Sequence, residues 1–242
     1  MSPPAALRGQ SALRGQSGLL GQSGRPLFEW DWVVANREAI WEQTLQHLYF
    51  TVVAVGIGLV LSLALALAAL RWRRLLGPIL GFGGVLYTIP SLALFALLVP
   101  FLGINDRVAI IALITYTILI LVRNIVAGID GVPAEVLEAA DGMGYRRGRR
   151  FLEIELPLAL PVLVAGLRIA SVTVIGLVTV TALLGRGGLG SFILRGFRTL
   201  PPFPTMIVVG TLLSVVLAIV IDLLLLGAER ALTPWARRKS PA

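Results

Sequence analysis

Long apolar stretches recur along this chain of 242 residues, and they constrain its fold more than any other feature. Five such runs lie near 48–70, 79–102, 108–127, 158–183 and 205–227. Each approaches or exceeds the roughly 20 residues that a helix needs to cross about 30 Å of hydrocarbon. None alternates strictly between apolar and polar residues, as the strands of a membrane barrel would. Because helices satisfy their own backbone hydrogen bonds in lipid, the sequence predicts an all-α polytopic membrane protein with about five transmembrane helices.

The composition supports a membrane protein and excludes several kinds of active site. Hydrophobic residues make up 57% of the chain and charged residues only 14%, whereas about a quarter of the residues in soluble domains are charged. The chain has no cysteine, which excludes disulfides and thiol nucleophiles. The single histidine, His47, cannot form a histidine-based metal site by itself. We expect neither a metal nor a cofactor.

The positive charges indicate how the helices are oriented. Although the net charge is +8, the basic residues lie at the ends of the apolar runs, so we expect no nucleic-acid partner. If the N-terminus is outside, twelve lysines and arginines fall on the inner side; five fall on the outer side, with three more in the N-terminal tail. The positive-inside rule therefore predicts an outer N-terminus and a cytoplasmic C-terminus.

The two ends of the chain differ from its apolar centre, 48–230. Residues 1–26 contain three near-identical hexamers rich in Gly, Gln and Ser, which predict disorder. In 27–47, the apolar residues, including Trp30 and Trp41, share one side of a helix. This pattern indicates either an interfacial amphipathic helix or a solvated, helical lead-in to the first span. Residues 231–242 form a basic tail, which the predicted orientation places in the cytoplasm.

The hydrophilic segment between the third and fourth runs carries the most specific motif. It reads Glu138-Ala139-Ala140-Asp141-Gly142-Met143-Gly144 and, after nine intervening residues, Ile154-Glu155-Leu156-Pro157. Proline at 133 and early acidic residues predict a helix with the proline in its first turn. The glycines then permit a sharp turn, next to which Met143 and Tyr145 offer apolar surface to a partner.

This motif resembles the EAA loop of permease subunits in bacterial binding-protein-dependent ABC importers. In that family the loop forms a short cytoplasmic helix that docks on a separate ATPase subunit. The resemblance therefore implies a cytoplasmic coupling helix, and the charge-based orientation, which never used the motif, also places this loop in the cytoplasm. The implied coupling residues are Glu138, Ala139, Ala140, Gly142, Met143, Gly144, Tyr145, Ile154, Leu156 and Pro157.

Polar residues inside the spans are candidates for a translocation pathway. Arg168 in the fourth run and Asp222 in the fifth lie at similar depths, roughly 10–15 Å from the inner side. Because an unpaired charge is costly there, we expect the two either to pair or to extend separately to the inner headgroups. Ser171 and Thr179 share one arc of the helix with Arg168, which suits a surface that faces protein or a pathway.

A second polar cluster, formed by Tyr87, Thr88, Pro90 and Ser91, lies in the second run. Proline frees a backbone carbonyl, which small hydroxyls can satisfy. Two interpretations stay open, a helix kink alone or a kink that also lines the passage.

Other strings are similar to one subgroup of these permeases, those for osmoprotectants such as glycine betaine, choline and carnitine. They are Tyr-Thr-Ile-Pro-Ser-Leu-Ala-Leu (87–94), Glu-Leu-Pro-Leu-Ala-Leu-Pro (155–161), Ala-Gly-Leu-Arg (165–168) and Ala-Leu-Leu-Gly-Arg-Gly-Gly-Leu-Gly (182–190). The resemblance implies alternating access in the bacterial inner membrane. The implied protein partners are an extracytoplasmic binding protein, a cytoplasmic ATPase and a second permease subunit, which is either a copy of this chain or a paralogue. Membrane lipid is a further expected partner.

Two other functions remain open at this point, transport of methionine or another small polar solute and a membrane scaffold without transport. The chain contains no Gly-x4-Gly-Lys-[Ser/Thr] loop, and its one lysine is Lys239, near the C-terminus. We therefore expect no enzyme activity in this chain and ATP hydrolysis in a separate subunit.

Overall fold

Helices dominate the part of the chain that the structure, a computed structural model, describes, residues 28–235. The predicted disorder of 1–26 and the end of the basic tail, from 236 onward, lie outside this part. A short helix, α1 (Trp30–Ala35), leads into α2 (Arg37–Arg71). The other helices are α3 (Leu76–Thr88), α4 (Ser91–Leu102), α5 (Asp106–Asp130), α6 (Ala134–Gly142), α7 (Arg147–Arg150), α8 (Leu156–Val180), α9 (Gly190–Arg198) and α10 (Pro204–Leu232).

Four helical stretches within 28–235 are long and apolar enough to cross a membrane. They are Arg37–Arg71, Asp106–Asp130, Arg147–Leu184 and Pro204–Leu232. A bent pair of helices, Arg73–Thr88 and Ser91–Leu102, adds a fifth if it is counted as one span. The predicted all-helical membrane fold is confirmed.

The second apolar run, 79–102, differs from the single helix expected. Its two helices, α3 and α4, meet at 97°. Pro90 lies at the break, where it has no N–H to continue the helix and moves Ile89 into an extended conformation, with ψ 124°. The hydroxyl of Tyr116 donates to the carbonyl of Ile89 in the extended segment at the break, and Thr88 Oγ1 donates to the carbonyl of Val85 at 2.7 Å. The predicted kink is therefore a bend of nearly a right angle between two separate helices.

The core lies where α2, α5 and α8 pack against one another, with α4 covering one end of it. Phe50, Phe95 and Leu113 are among its fully buried side chains. Gly58 of α2 faces Thr117 of α5 so closely that a Cβ at Gly58 would lie 1.9 Å from Thr117 Oγ1. A small residue thus sets the distance between these two helices, as is common in membrane proteins.

The segment 185–204 is rich in Gly, Arg and Pro, a composition that predicts a loop, but it contains α9. Contacts from the N-terminal segment hold it in place. The ring of Trp32 lies edge-on to Phe192, with 5.9 Å between centroids. Ser191 Oγ donates to Gln43 Oε1 at 2.9 Å, and the N–H of Gly188 donates to Gln46 Oε1 at 3.2 Å. Residues 37–47 therefore continue into the first span as one helix, and the N-terminal segment packs against α9 and the residues just before it.

Candidate functional site

The motif helix α6 ends in a defined turn. The N–H of Tyr145 donates to the carbonyl of Ala140 at 3.1 Å, and that of Gly144 donates to Asp141 at 3.0 Å. This pair of bonds is a Schellman motif, which requires a residue with positive φ at Gly144, and φ is 81° there. The predicted turn is confirmed at Gly144. Pro133, expected in the first turn, instead lies at the N-cap position just before it.

The motif presents part of its sequence on the surface. Ala140 is fully buried, whereas Glu138 and Ala139 are exposed. Met143 is 69% exposed at the end of the helix. Tyr145 is half-buried, and the guanidinium of Arg149 lies 5.0 Å from its ring centroid. The helix therefore offers a small surface that mixes a carboxylate, a short side chain and an apolar methionine.

Arg150 joins this surface to the next span. Its Nε donates to Glu155 Oε1 at 2.9 Å, and its Nη1 donates to the carboxylate of Asp141 at the end of α6. Residues Phe151–Glu155 form one π-helical turn, in which the N–H of Leu156 donates to the carbonyl of Phe151. This wide turn lies next to Pro157, which has no N–H to donate. The predicted motif residues Ile154, Leu156 and Pro157 are half-buried in this joint.

The two charges inside the spans pair, as one of the two sequence-based interpretations expected. Arg168 Nε lies 2.8 Å from Asp222 Oδ1, and Nη2 lies 2.9 Å from Oδ2. This two-bond geometry is the strongest that arginine and a carboxylate adopt. Glu229, two helical turns beyond Asp222, adds a third charge, with its Oε2 3.5 Å from Arg168 Nη1. Sequence reasoning missed this role, although a spacing of seven residues puts both acids on one helix face.

An open groove of about 570 Å³ lies next to this ion pair. Its lining residues are Ala165, Arg168, Ile169, Val172, Thr173 and Asp222. Ser171, expected on the same surface, is buried and donates back to the carbonyl of Leu167 at 2.8 Å. Thr179 likewise donates within its own helix, to the carbonyl of Gly176 at 2.7 Å. Thr173, which the sequence did not single out, is the hydroxyl that lines the groove.

The second polar cluster lies at the break between α3 and α4. Tyr87 is 40% exposed, and its ring lies edge-on to Tyr116 of α5, with 5.7 Å between centroids. Pro90 and Thr88 are exposed, whereas Ser91 is half-buried as the first residue of α4. Across 28–235, neither a hydrogen bond nor an ion pair joins this cluster to Arg168 or Asp222. The two clusters are separate features.

Comparison with known families decides what kind of protein carries these features. Residues 58–237 match the family described as the binding-protein-dependent transport system inner membrane component. The chain belongs to this family. The permease is thus a multi-pass protein of the inner membrane and a transport component, not itself an enzyme.

Several curated permeases are similar to this chain over most of its length. The glycine betaine/carnitine/choline transport system permease protein OpuCB of Bacillus subtilis (strain 168) is 36% identical over 192 residues, which are 79% of this permease and 88% of OpuCB. The osmoprotectant import permease protein OsmW of Salmonella typhimurium is 37% identical over 196 residues, 79% of this permease and 90% of OsmW.

The fold also matches a solved structure. An inward-facing conformation of the MetNI methionine ABC transporter aligns with a TM-score of 0.67, covering 85% of this permease and all of that chain. Sequence identity in this alignment is 21%, so it supports the fold alone.

Proposed function

We propose that the permease forms the membrane passage of an ABC importer for a small osmoprotectant such as glycine betaine, choline or carnitine. The observation that carries this proposal is the identity of 36–37% to OpuCB and OsmW across 79% of the chain. Transport of methionine rests only on likeness of fold at 21% identity, and a scaffold without transport does not account for the full EAA motif.

The cytoplasmic ATPase is the proposed partner of α6. Glu138, Ala139 and Met143 are exposed at the position where the family resemblance assigns docking. An extracytoplasmic binding protein delivers the substrate in this scheme, and ATP hydrolysis takes place in the separate ATPase.

A second permease subunit completes the proposed passage. Helix α10 leaves a broad apolar face exposed, and only 11% of its most apolar 18-residue stretch is buried. Both a copy of this chain and a paralogue fit, because the chain is 36% identical to OpuCB and also 36% identical to OpuCD of Bacillus subtilis.

Coupling follows a continuous physical connection in this proposal. A displacement of α6 is transmitted to α8 through Arg150, which donates hydrogen bonds to both Asp141 and Glu155. Helix α8 in turn holds α10 through Arg168 and Asp222. Rigid helices with defined joints transmit such a displacement, so closure of the ATPases would tilt α8 and α10 together.

The passage itself is proposed to use both polar clusters. The cluster at the helix break contributes Tyr87, Thr88, Pro90 and Ser91. The cluster beside the groove contributes Arg168 and Asp222, with Ser171 and Thr179 on the same helix as Arg168.

Within the proposed division of the chain, residues 48–230 form the permease domain and 27–47 an interfacial segment. The N-terminus is proposed to lie outside and the basic tail 231–242 in the cytoplasm.

ATPase activity in a reconstituted complex tests this proposal. We expect hydrolysis to rise when the binding protein is loaded with glycine betaine and this permease is present. ATPase activity that is the same with and without the permease would contradict a transport role.

A further inference from the structure

A second cavity, of about 680 Å³, lies at the inner ends of the helices, outside the groove beside Arg168. This open cavity is lined by the last turns of α2, the end of α5, the start of α6 and residues 147–155. Four arginines line the cavity, namely Arg71, Arg73, Arg147 and Arg150. Asp130 and Glu155 are the two carboxylates in the lining, so the cavity carries two excess positive charges.

The excess belongs to two particular side chains. Arg73 Nη1 donates to Asp130 Oδ2 at 2.7 Å, and Arg150 is bonded to Glu155 and Asp141. In contrast, Arg71 and Arg147 have no hydrogen-bonding or ion-pair partner between residues 28 and 235. Both are exposed and come from distant parts of the sequence, so the fold brings two unneutralised guanidinium groups to one cavity.

The other part of the lining is apolar. Leu67 and Leu70 belong to the inner end of the first membrane-spanning helix, and Phe151 begins the π-helical turn. The cavity therefore presents a cationic part and a hydrocarbon part at the end of a span. A ligand that satisfies both parts carries an anionic head and an alkyl chain.

We propose that this cavity binds an anionic phospholipid, with its phosphate between Arg71 and Arg147 and an acyl chain along Leu67 and Leu70. Guanidinium groups bind phosphate oxygens through paired hydrogen bonds. Basic pockets between helices on the cytoplasmic side are a known form of lipid headgroup site. A soluble anion or an acidic protein segment would use the arginines but not the leucines, because these lie at the depth of the acyl chains.

Native mass spectrometry of the full-length permease tests this proposal. Phosphatidylglycerol and phosphatidylcholine are titrated into the detergent-solubilised permease, both alone and assembled with its ATPase. The double variant Arg71→Gln/Arg147→Gln removes the unneutralised charges without breaking an ion pair. The matched control, Arg74→Gln/Arg146→Gln, removes two exposed arginines that neighbour these in sequence and lie outside the lining.

We expect the wild type and the control to retain one tightly bound phosphatidylglycerol and the Arg71/Arg147 variant to bind it about 30-fold more weakly, since each basic group near anionic lipid contributes about fivefold. If both double variants bound phosphatidylglycerol equally weakly, the effect would come from the overall positive charge of the protein, which would contradict a specific site. Unchanged binding in the Arg71/Arg147 variant would contradict it too.

Displacement of the lipid by inorganic phosphate at millimolar concentration would overturn the lipid assignment in favour of a simple anion. Exclusion of the lipid by the ATPase would overturn it in favour of a protein contact.

Discussion

Arg168 and Asp222 join the fourth and fifth apolar segments through two parallel hydrogen bonds, 2.8 and 2.9 Å long. Their side chains are 26% and 32% exposed, so the pair lies neither in the core nor free on the surface. It forms one edge of the groove between α8 and α10. Because both charges lie within membrane-spanning segments, Asp222 depends on Arg168 for neutralisation, and Arg168 depends on Asp222 and Glu229.

Single and double substitutions of this pair should not be additive. Arg168→Ala leaves both Asp222 and Glu229 without a cation, whereas Asp222→Ala leaves Arg168 with Glu229 at 3.5 Å. We expect Arg168→Ala to lower folded yield and uptake about tenfold, Asp222→Ala to do so less, and the double variant to recover part of the Arg168→Ala loss. Yield is measured by size-exclusion chromatography and uptake with labelled substrate. Strictly additive losses would contradict a functional pair.

The turn after α6 should depend on its glycine. Gly144 has a φ of 81°, and a Cβ there meets nothing within 4 Å, so Gly144→Ala costs about 1–2 kcal/mol through the backbone alone. We expect weaker co-purification of the ATPase and lower uptake, with the permease still in the membrane.

Gly148→Ala is the matched control, because Gly148 is not one of the motif residues, has no positive φ and has the same open space. If Gly148→Ala and Gly144→Ala reduced co-purification of the ATPase equally, the turn at Gly144 would not be the cause.

Tyr116 should stabilise the break between α3 and α4. Its hydroxyl donates to the carbonyl of Ile89, the residue before Pro90 at the break. We expect Tyr116→Phe to lower the free energy of unfolding by roughly 1 kcal/mol or somewhat more. Thermal unfolding followed by tryptophan fluorescence measures it, since the chain has five tryptophans. Tyr87→Phe, whose hydroxyl makes no hydrogen bond within the described chain, should change little. A larger loss in Tyr87→Phe would contradict this account.

Sequence reasoning succeeded where local chemistry decides the structure. Gly144 terminates α6 because few other residues adopt its φ, and the span lengths follow from hydropathy alone. The turn and the spans are decided within a few helical turns of sequence. The pairing of Arg168 with Asp222 was one of the two interpretations that their similar depth and opposite sign allowed, and the structure decides between them.

The missed features depend on tertiary structure or on weak local signals. Pro90 indicates a kink, but the 97° break also carries a hydrogen bond from Tyr116, which comes from another helix. Helix α9 was taken for a loop because Gly, Arg and Pro surround it, and its position depends on contacts with Trp32, Gln43 and Gln46. The cationic cavity brings together residues more than 70 positions apart, which no local pattern reveals.

The orientation in the membrane has a direct test, because the chain has no cysteine to remove. Asp31 and Glu135 are both exposed, and the proposed topology places them on opposite sides. We expect a membrane-impermeant maleimide to label Asp31→Cys in intact spheroplasts and to label Glu135→Cys only after permeabilisation. The reverse pattern would invert the topology.

Uptake by proteoliposomes tests the central claim most directly. The permease is reconstituted with its ATPase, its partner permease and its binding protein, and ATP is enclosed. We predict ATP-dependent accumulation of radiolabelled glycine betaine, choline or carnitine, and loss of accumulation when this permease is omitted. Accumulation of methionine alongside failure with all three quaternary ammonium compounds would contradict the proposed function.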